Sequence, residues 1–186
     1  MCTGSAQGRV GAESSKSRQG RSRYWHKSRK QLRGLNVIVV HSEWISLLES
    51  AFPSQQARYF EPMVIGSTSA SANEGAALIL DGIKTATSSA YWDYPDGRIP
   101  FVGALSVLLD GNEHPRAIVE TVRVEILPFD AVDEHFAHAY GEGERTLAWW
   151  RAEIGAWYRD AAAQHKENLS GETPIICEWF RVVKRF

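Results

Sequence analysis

The residues best suited to chemistry lie in a short polar segment, residues 81–92, where one lysine precedes a run of hydroxyl side chains and two aromatic rings. Lys84 could act as a general base if burial or a nearby cation lowered its pKa, and it could also bind an anion. A base beside a hydroxyl makes that hydroxyl a nucleophile, so Thr85 and Thr87 are the candidates. The alternative is a surface lysine at a helix C-terminus, where the helix dipole favours a cation. The spacing alone leaves both interpretations open.

The elements around this segment decide whether its side chains can meet. Residues three apart on a regular strand face opposite sides, so Lys84 and Thr87 cannot converge within one strand. They can converge if Lys84 lies in a connector before the strand begins. Gly82 stands where a left-handed C-cap would end the preceding helix. The sequence therefore predicts a helix that ends near Gly82, a connector with Lys84, and a strand over 85–91.

Three carboxylates are further candidates. Glu142 and Glu144 lie in a glycine-containing loop between two predicted helices, where a carboxylate could swing into a pocket as acid or base. The alternative is an ordinary solvated connection. Glu178 lies within an apolar alternation of the last predicted strand, and a buried carboxylate needs a partner, for which Lys84 is one possibility.

The aromatic residues Tyr91, Trp92 and Tyr94 could stack on nucleobases, with Arg98 nearby as a cation for RNA. The alternative is that these rings belong to the core. His135 and His138 are three residues apart on one helix face, yet no cysteine or second pair stands near them. We interpret them as surface histidines and expect neither a metal nor another cofactor.

Composition and charge limit the classes of protein. Residues 1–34 carry nine Lys and Arg against one acidic residue, whereas the rest of the chain has a net charge of −9. We predict that residues 1–41 form a disordered basic tail without a catalytic role; an RNA-contacting arm, a transit peptide or translated sequence upstream of the true start are the alternatives. No apolar run reaches the ~20 residues that span a bilayer, and the two cysteines form no disulfide framework. These features favour a soluble, cytoplasmic protein.

The predicted elements alternate without βαβ repetition, which favours an α+β domain or a small barrel flanked by helices. Helices are predicted from Ser42 to before Pro53, from a cap at Asn73, from a cap at Asp130 and from Thr146; strands are predicted over 85–91, 105–109, 121–126 and 175–183. In the strand over 121–126, alternation predicts Val122, Val124 and Ile126 inward and Thr121, Arg123 and Glu125 outward.

Several segments in chain order resemble the bacterial ASCH-domain proteins. They are Gly82-x-Lys84-Thr85-Ala86-Thr87, residues 102–111 (VGALSVLLDG), residues 124–130 (VEILPFD), Gly141-Glu142-Gly143-Glu144, Trp150-Arg151 and residues 174–180 (PIICEWF). The likeness runs from about Trp44 to the end of the chain. Residues 42–186 are accordingly predicted to form one ASCH domain.

The resemblance implies a PUA-like fold, a small mixed β-barrel flanked by helices, and RNA-related ligands. Within the family, some members resemble non-enzymatic RNA-binding or coactivator modules, small relatives deacetylate acetylated cytidine with a Lys-Thr-Glu set, and others are ribonucleases. Carried over, Lys84 matches the base, Thr87 the nucleophile and Glu142, better than Glu144, the acid. Thr87 and Ser89 replace the Glu and Arg of the coactivator signature, which weakens that analogy.

The resemblance thus predicts an ASCH domain that binds RNA or a modified nucleoside and that, if catalytic, would hydrolyse an amide on an acylated cytidine-like base. The alternatives are a non-enzymatic RNA-binding module, a ribonuclease, or a protein whose ligand is unrelated to nucleic acid. The acidic body favours a nucleoside-like small molecule over a long phosphate backbone, and no membrane partner is expected. The predicted ligand-binding residues are Thr85, Ser89, Trp92, Arg98, Glu144 and Glu178. The sequence carries no signal for the oligomeric state.

Overall fold

The computed structural model describes residues 42–186, and the predicted basic tail over 1–41 lies outside the described residues. Four α-helices are present there: α1 Ser42–Ala51, α2 Ser69–Leu80, α3 Glu134–Tyr140 and α4 Leu147–Gln164. The five strands are β1 Tyr59–Met63, β2 Ala86–Ala90, β3 Leu105–Leu109, β4 Pro115–Pro128 and β5 Pro174–Arg185. Within this part of the chain, no helix is long and apolar enough to cross a membrane.

The strands form one mixed sheet in the order β1-β3-β4-β5-β2. β1 runs parallel to β3, and the other neighbouring strands are antiparallel. Among the described residues the sheet does not close, since β1 and β2 stay at its two edges. The predicted α+β class, with a mixed sheet flanked by helices, is confirmed.

Helices cover both faces of this sheet. The helices α3 and α4 pack on β2 and β5 through a cluster rich in aromatic rings, which includes Phe136, Tyr140, Trp150 and Tyr158. A second cluster joins α2 to β3, β4 and β5, and a third packs α1 against β3. The segment with Lys84 therefore connects α2, which packs in the second cluster, to β2, which packs in the aromatic cluster.

A β-bulge changes the predicted orientation of β4. The β4–β5 register shifts between Thr121 and Arg123, so that one extra residue of β4 lies opposite β5. Thr121, predicted to point outward, is buried, whereas Val122 and Ile126, predicted to point inward, are 43% and 47% exposed. Regular alternation could not reveal the inserted residue.

Two helices begin at different caps from those predicted. The α2 helix starts after Thr68, not Asn73, because Thr68 and Ser71 bond reciprocally in a capping box. The α3 helix starts after Asp133, whose side chain accepts a hydrogen bond from Phe136 N at 2.8 Å. The predicted cap, Asp130, lies in a separate 3-10 turn over Phe129–Ala131.

Candidate functional site

A Schellman motif at the end of α2 positions Lys84. Gly82 is left-handed (φ +72°), and its N–H donates to Ile79 O at 3.1 Å, while Ile83 N donates to Leu78 O at 3.0 Å. Lys84 N donates to the same Leu78 oxygen, and β2 begins only at Ala86. Lys84 therefore lies in the connector, as convergence with Thr87 requires.

The Lys84 side chain is fully buried and makes three contacts. Its Nζ lies 2.8 Å from Glu142 Oε1, donates to Tyr140 O at 2.9 Å, and lies 3.5 Å from the centroid of the Tyr140 ring. The side chains of Lys84 and Glu142 are 0% and 2% exposed. Such a pair is expensive to desolvate and is weak evidence of a stabilising role.

Burial shifts both members of the pair toward their neutral forms. It lowers the pKa of Lys84, and the Glu142 carboxylate opposes part of that shift. It raises the pKa of Glu142, with Lys84 opposing. Moving one proton from the ammonium to the carboxylate would yield a neutral amine and a carboxylic acid, which are a base and an acid in contact.

Thr87 lies on β2 directly opposite Glu178 of β5, and its side chain is buried. Within the described residues, neither Thr87 Oγ1 nor the Tyr140 hydroxyl completes a hydrogen bond of ordinary geometry. Burial raises the pKa of Tyr140 well above its usual value, and the nearby Ser88 and Thr87 hydroxyls counter part of that shift. Tyr140 thus touches Lys84 through its ring and approaches Thr87 through its hydroxyl.

Gly141 sets how closely the end of α3 approaches the connector that contains Lys84. The sequence alone had suggested no role for this glycine. It ends α3 with φ +75°, and a Cβ added there would lie 2.4 Å from Lys84 Cα and 2.5 Å from Ile83 O. The Thr85 N–H also donates to Ala139 O at 2.9 Å. The end of α3 therefore lies directly against the connector, and the signal for this was the glycine immediately before Glu142.

The substitution Gly141→Ala is expected to separate the connector from α3. Left-handed backbone costs about 1–2 kcal/mol for alanine, and the overlap adds about 1–3 kcal/mol of overpacking. Gly97→Ala is the matched control, because Gly97 has φ +73° but no atom within 4 Å of an added Cβ. Urea unfolding of both variants measures the difference; equal losses of stability would contradict the close packing at Gly141.

A cavity of about 200 Å³ adjoins the connector. Its walls are Ile79, Leu80, Gly82, Lys84, Thr85, Phe180, Arg181, Val182 and Arg185. Sequence reasoning missed Arg181 and Arg185, whose guanidinium groups suit carboxylates and phosphates. Arg181 bonds to Glu120 at 2.7 Å, and Arg185 bonds to Leu80 O. These two arginines and Lys184 lie close together near the end of the sequence. That basic cluster was the sequence feature that could have indicated an anion-binding surface.

Lys84, Thr87 and Glu142 all lie near Tyr140. Thr85 lines the cavity beside Lys84. Glu144 is exposed, so the loop presents only one of its two acidic side chains to Lys84. Glu142 is buried, contrary to the alternative of a wholly solvated loop.

The other predicted ligand-binding residues have different surroundings. Ser89 is buried and bonds to Tyr94 Oη at 2.9 Å, while Trp92 stacks on His165 with ring centroids 6.1 Å apart. Arg98 donates to Tyr59 O at 2.7 Å. Glu178 is buried and accepts a hydrogen bond from Thr121 at 2.7 Å; the carboxylate paired with Lys84 is that of Glu142.

Comparison with known proteins defines the class. The model of the ASCH domain family matches residues 61–184, so the chain belongs to the ASCH-domain family, whose PUA-like domains generally bind RNA. A crystal structure of an ASCH domain from Lactobacillus crispatus is 28% identical, with a TM-score of 0.66, covering 77% of this chain and 91% of that one. Protein EF3133 from Enterococcus faecalis is also 28% identical, with a TM-score of 0.65 and coverages of 78% and 88%. No curated protein matches significantly.

Proposed function

We propose that this ASCH-domain protein is an amidohydrolase that removes an acyl group from a cytidine-like base, in a nucleoside or in RNA. The observation that carries this proposal is the buried Lys84–Glu142 contact of 2.8 Å, in which burial lowers the pKa of the amine and raises that of the carboxyl. Perturbed pKa values of this kind are typical of catalytic acids and bases. Thr87, close to the same tyrosine, supplies a hydroxyl.

The first half of the reaction needs a base and an acid together. Lys84, as a neutral amine, takes the hydroxyl proton of Thr87 while Thr87 Oγ1 attacks the acyl carbon. The C–N bond then breaks, and the Glu142 carboxyl donates its proton to the departing exocyclic amine of the base. The pair needs no net proton from solvent to reach this starting state.

The second half regenerates the site. A water molecule attacks the ester on Thr87 and gives one proton to the Glu142 carboxylate. The ester C–O bond breaks, and Lys84 returns its proton to Thr87 Oγ1. The carboxylic acid leaves, and the amine, the hydroxyl and the protonated carboxyl are restored.

Substrate must reach side chains that are at most 2% exposed, so the loop after α3 has to move for turnover. That loop contains three residues with left-handed backbone, namely Gly141, Gly143 and Arg145. The cavity with Arg181 and Arg185 supports an approach from the α2 side, where guanidinium groups would meet the phosphate of a nucleotide.

A binding module without chemistry is the second candidate. It is favoured by the absence of a Lys84–Thr87 hydrogen bond, since Thr87 Oγ1 has no partner among residues 42–186. A nucleophile and its base usually lie within hydrogen-bond reach, although the contact is often looser without substrate. Salt-dependent RNA binding without release of cytidine would identify this alternative.

Incubation with acetylcytidine tests the proposal. The wild-type protein is expected to release cytidine, and Thr87→Val, which keeps the shape but removes the hydroxyl, is expected to lower the rate by about 10³-fold or more. Ser106→Ala is the matched control, because Ser106 is also a buried hydroxyl without a partner in the described residues but lies on β3. Chromatographic separation of the two nucleosides gives the rates. Equal activity of Thr87→Val and wild type would exclude the mechanism.

A further inference from the structure

The second half of β4 has an open edge. Its β3 side is paired only as far as Thr121, which exchanges hydrogen bonds with Gly103 N (2.8 Å) and Ala104 O (2.9 Å). From residue 122 to residue 128, β4 pairs with β5 on one side, and no strand of the described residues pairs with the other. An open edge is a template for another strand.

Apolar side chains are concentrated at this edge. Seven large hydrophobic residues of the described chain are exposed, and four of them are here: Val122 and Ile126 on β4, and Phe101 and Val102 just before the Gly103 contact. Exposed apolar side chains clustered near one another are typical of an interaction site.

The two charged side chains at this edge have a net charge of zero. Arg123 and Glu125 lie on one face of the strand and bond to each other through Nε and Oε1 at 3.0 Å. Natural edges are often kept unpaired by charged side chains, especially lysines. This edge carries one charge of each sign, separated by Val124.

The side chains on either side of Val124 are complementary to those of the same strand in a second copy of the chain. If a second β4 pairs antiparallel with a two-fold axis at Val124, Arg123 faces Glu125 of the other copy, and Glu125 faces its Arg123. Val122 faces Ile126 of the other copy in the same register, so apolar meets apolar on the opposite face. Cross-strand pairs of opposite charge and of apolar groups stabilise sheets, whereas like charges destabilise them.

We propose that the edge of β4 over residues 122–126 binds a second copy of this chain, joining two sheets into one continuous sheet. The contact is isologous, so it closes at the dimer and does not propagate into fibres. Phe101 and Val102 border the same edge and add apolar area to the contact.

Sedimentation velocity of the full chain tests this proposal. The wild type is expected to show a concentration-dependent dimer, twice the monomer mass of 20.8 kDa. Arg123→Glu places glutamates opposite each other, and Glu125→Arg places arginines opposite each other. Each variant is expected to raise the dimer Kd roughly tenfold or more, since two attractive pairs become repulsive.

Two controls distinguish loss of the proposed charge pairs from misfolding of the variants. The double swap Arg123→Glu with Glu125→Arg restores opposite charges and is expected to restore the dimer. An equimolar mixture of the two single variants is expected to form heterodimers. Arg123 also lies over the Trp179 ring at 4.3 Å, so circular dichroism must confirm folding, and Glu125→Arg serves if Arg123→Glu misfolds. A monomeric wild type, unchanged dimerisation of a folded single variant, or failure of the mixture to associate would each overturn the proposal.

Discussion

Replacing Lys84 by methionine is expected to lower kcat for acetylcytidine hydrolysis by about 10²–10⁴-fold, the range for loss of a general base. Methionine keeps the length and the apolar stem of lysine, so the buried site stays filled. What is lost is the amine that takes the proton of Thr87. Lys184→Met is the matched control, because Lys184 is exposed on β5. Steady-state rates at saturating acetylcytidine provide the comparison.

The kinetic pattern distinguishes a base from a binding group. Loss of a base lowers kcat, whereas loss of a cation that only holds the ligand raises KM. A Lys84→Met variant with unchanged kcat and a raised KM would assign Lys84 to anion binding, which was the other interpretation of its place in the sequence.

Replacing Glu142 by leucine is expected to lower the free energy of unfolding by about 3–5 kcal/mol at neutral pH, because it leaves a buried cation without its partner. The double variant Lys84→Met with Glu142→Leu is expected to unfold close to the wild type, since apolar replacement of a buried pair is often neutral or stabilising. Urea unfolding of the three proteins gives the values. A double variant as unstable as the single variant would show that the site needs its charges to fold.

The loss in Glu142→Leu should depend on pH. Burial lowers the pKa of Lys84 in the folded state below its unfolded value of about 10.4, and without Glu142 nothing in the pair opposes that shift. Between the two values the unfolded chain binds more protons, so stability rises as the pH increases through this window. Unfolding measured at about pH 7 and about pH 9.5 should show the variant gaining stability; a loss that is equal at both values would exclude Lys84 as the titrating group.

The residues next to Lys84 in the sequence were sufficient to predict that it lies in the connector between α2 and β2. Gly82 indicated a left-handed cap, and the cap decides where the helix ends and the connector begins. The hydrogen bonds of the Schellman motif, to the carbonyl oxygens of Leu78 and Ile79, are those that such a cap makes. The strands over 105–109 and 175–183 were likewise visible in their apolar patterns.

Features that depend on distant contacts were not predictable in this way. Lys84 meets Tyr140 across 56 residues, so nothing local shows that the lysine is buried or that its neighbours are Glu142 and an aromatic ring. The β4 bulge depends on pairing with β5, and it reversed the expected burial of Thr121 and Val122. Arg181 and Arg185 line the cavity only because β5 lies beside the end of α2.

The most direct test of the central claim is the release of cytidine from acetylcytidine by wild type and by the double variant Lys84→Met with Glu142→Leu, measured on samples of matched stability. The account predicts turnover by the wild type and none above background by the double variant. Undiminished turnover by a folded double variant, or none by the wild type, would contradict the assignment of Lys84 and Glu142 as base and acid.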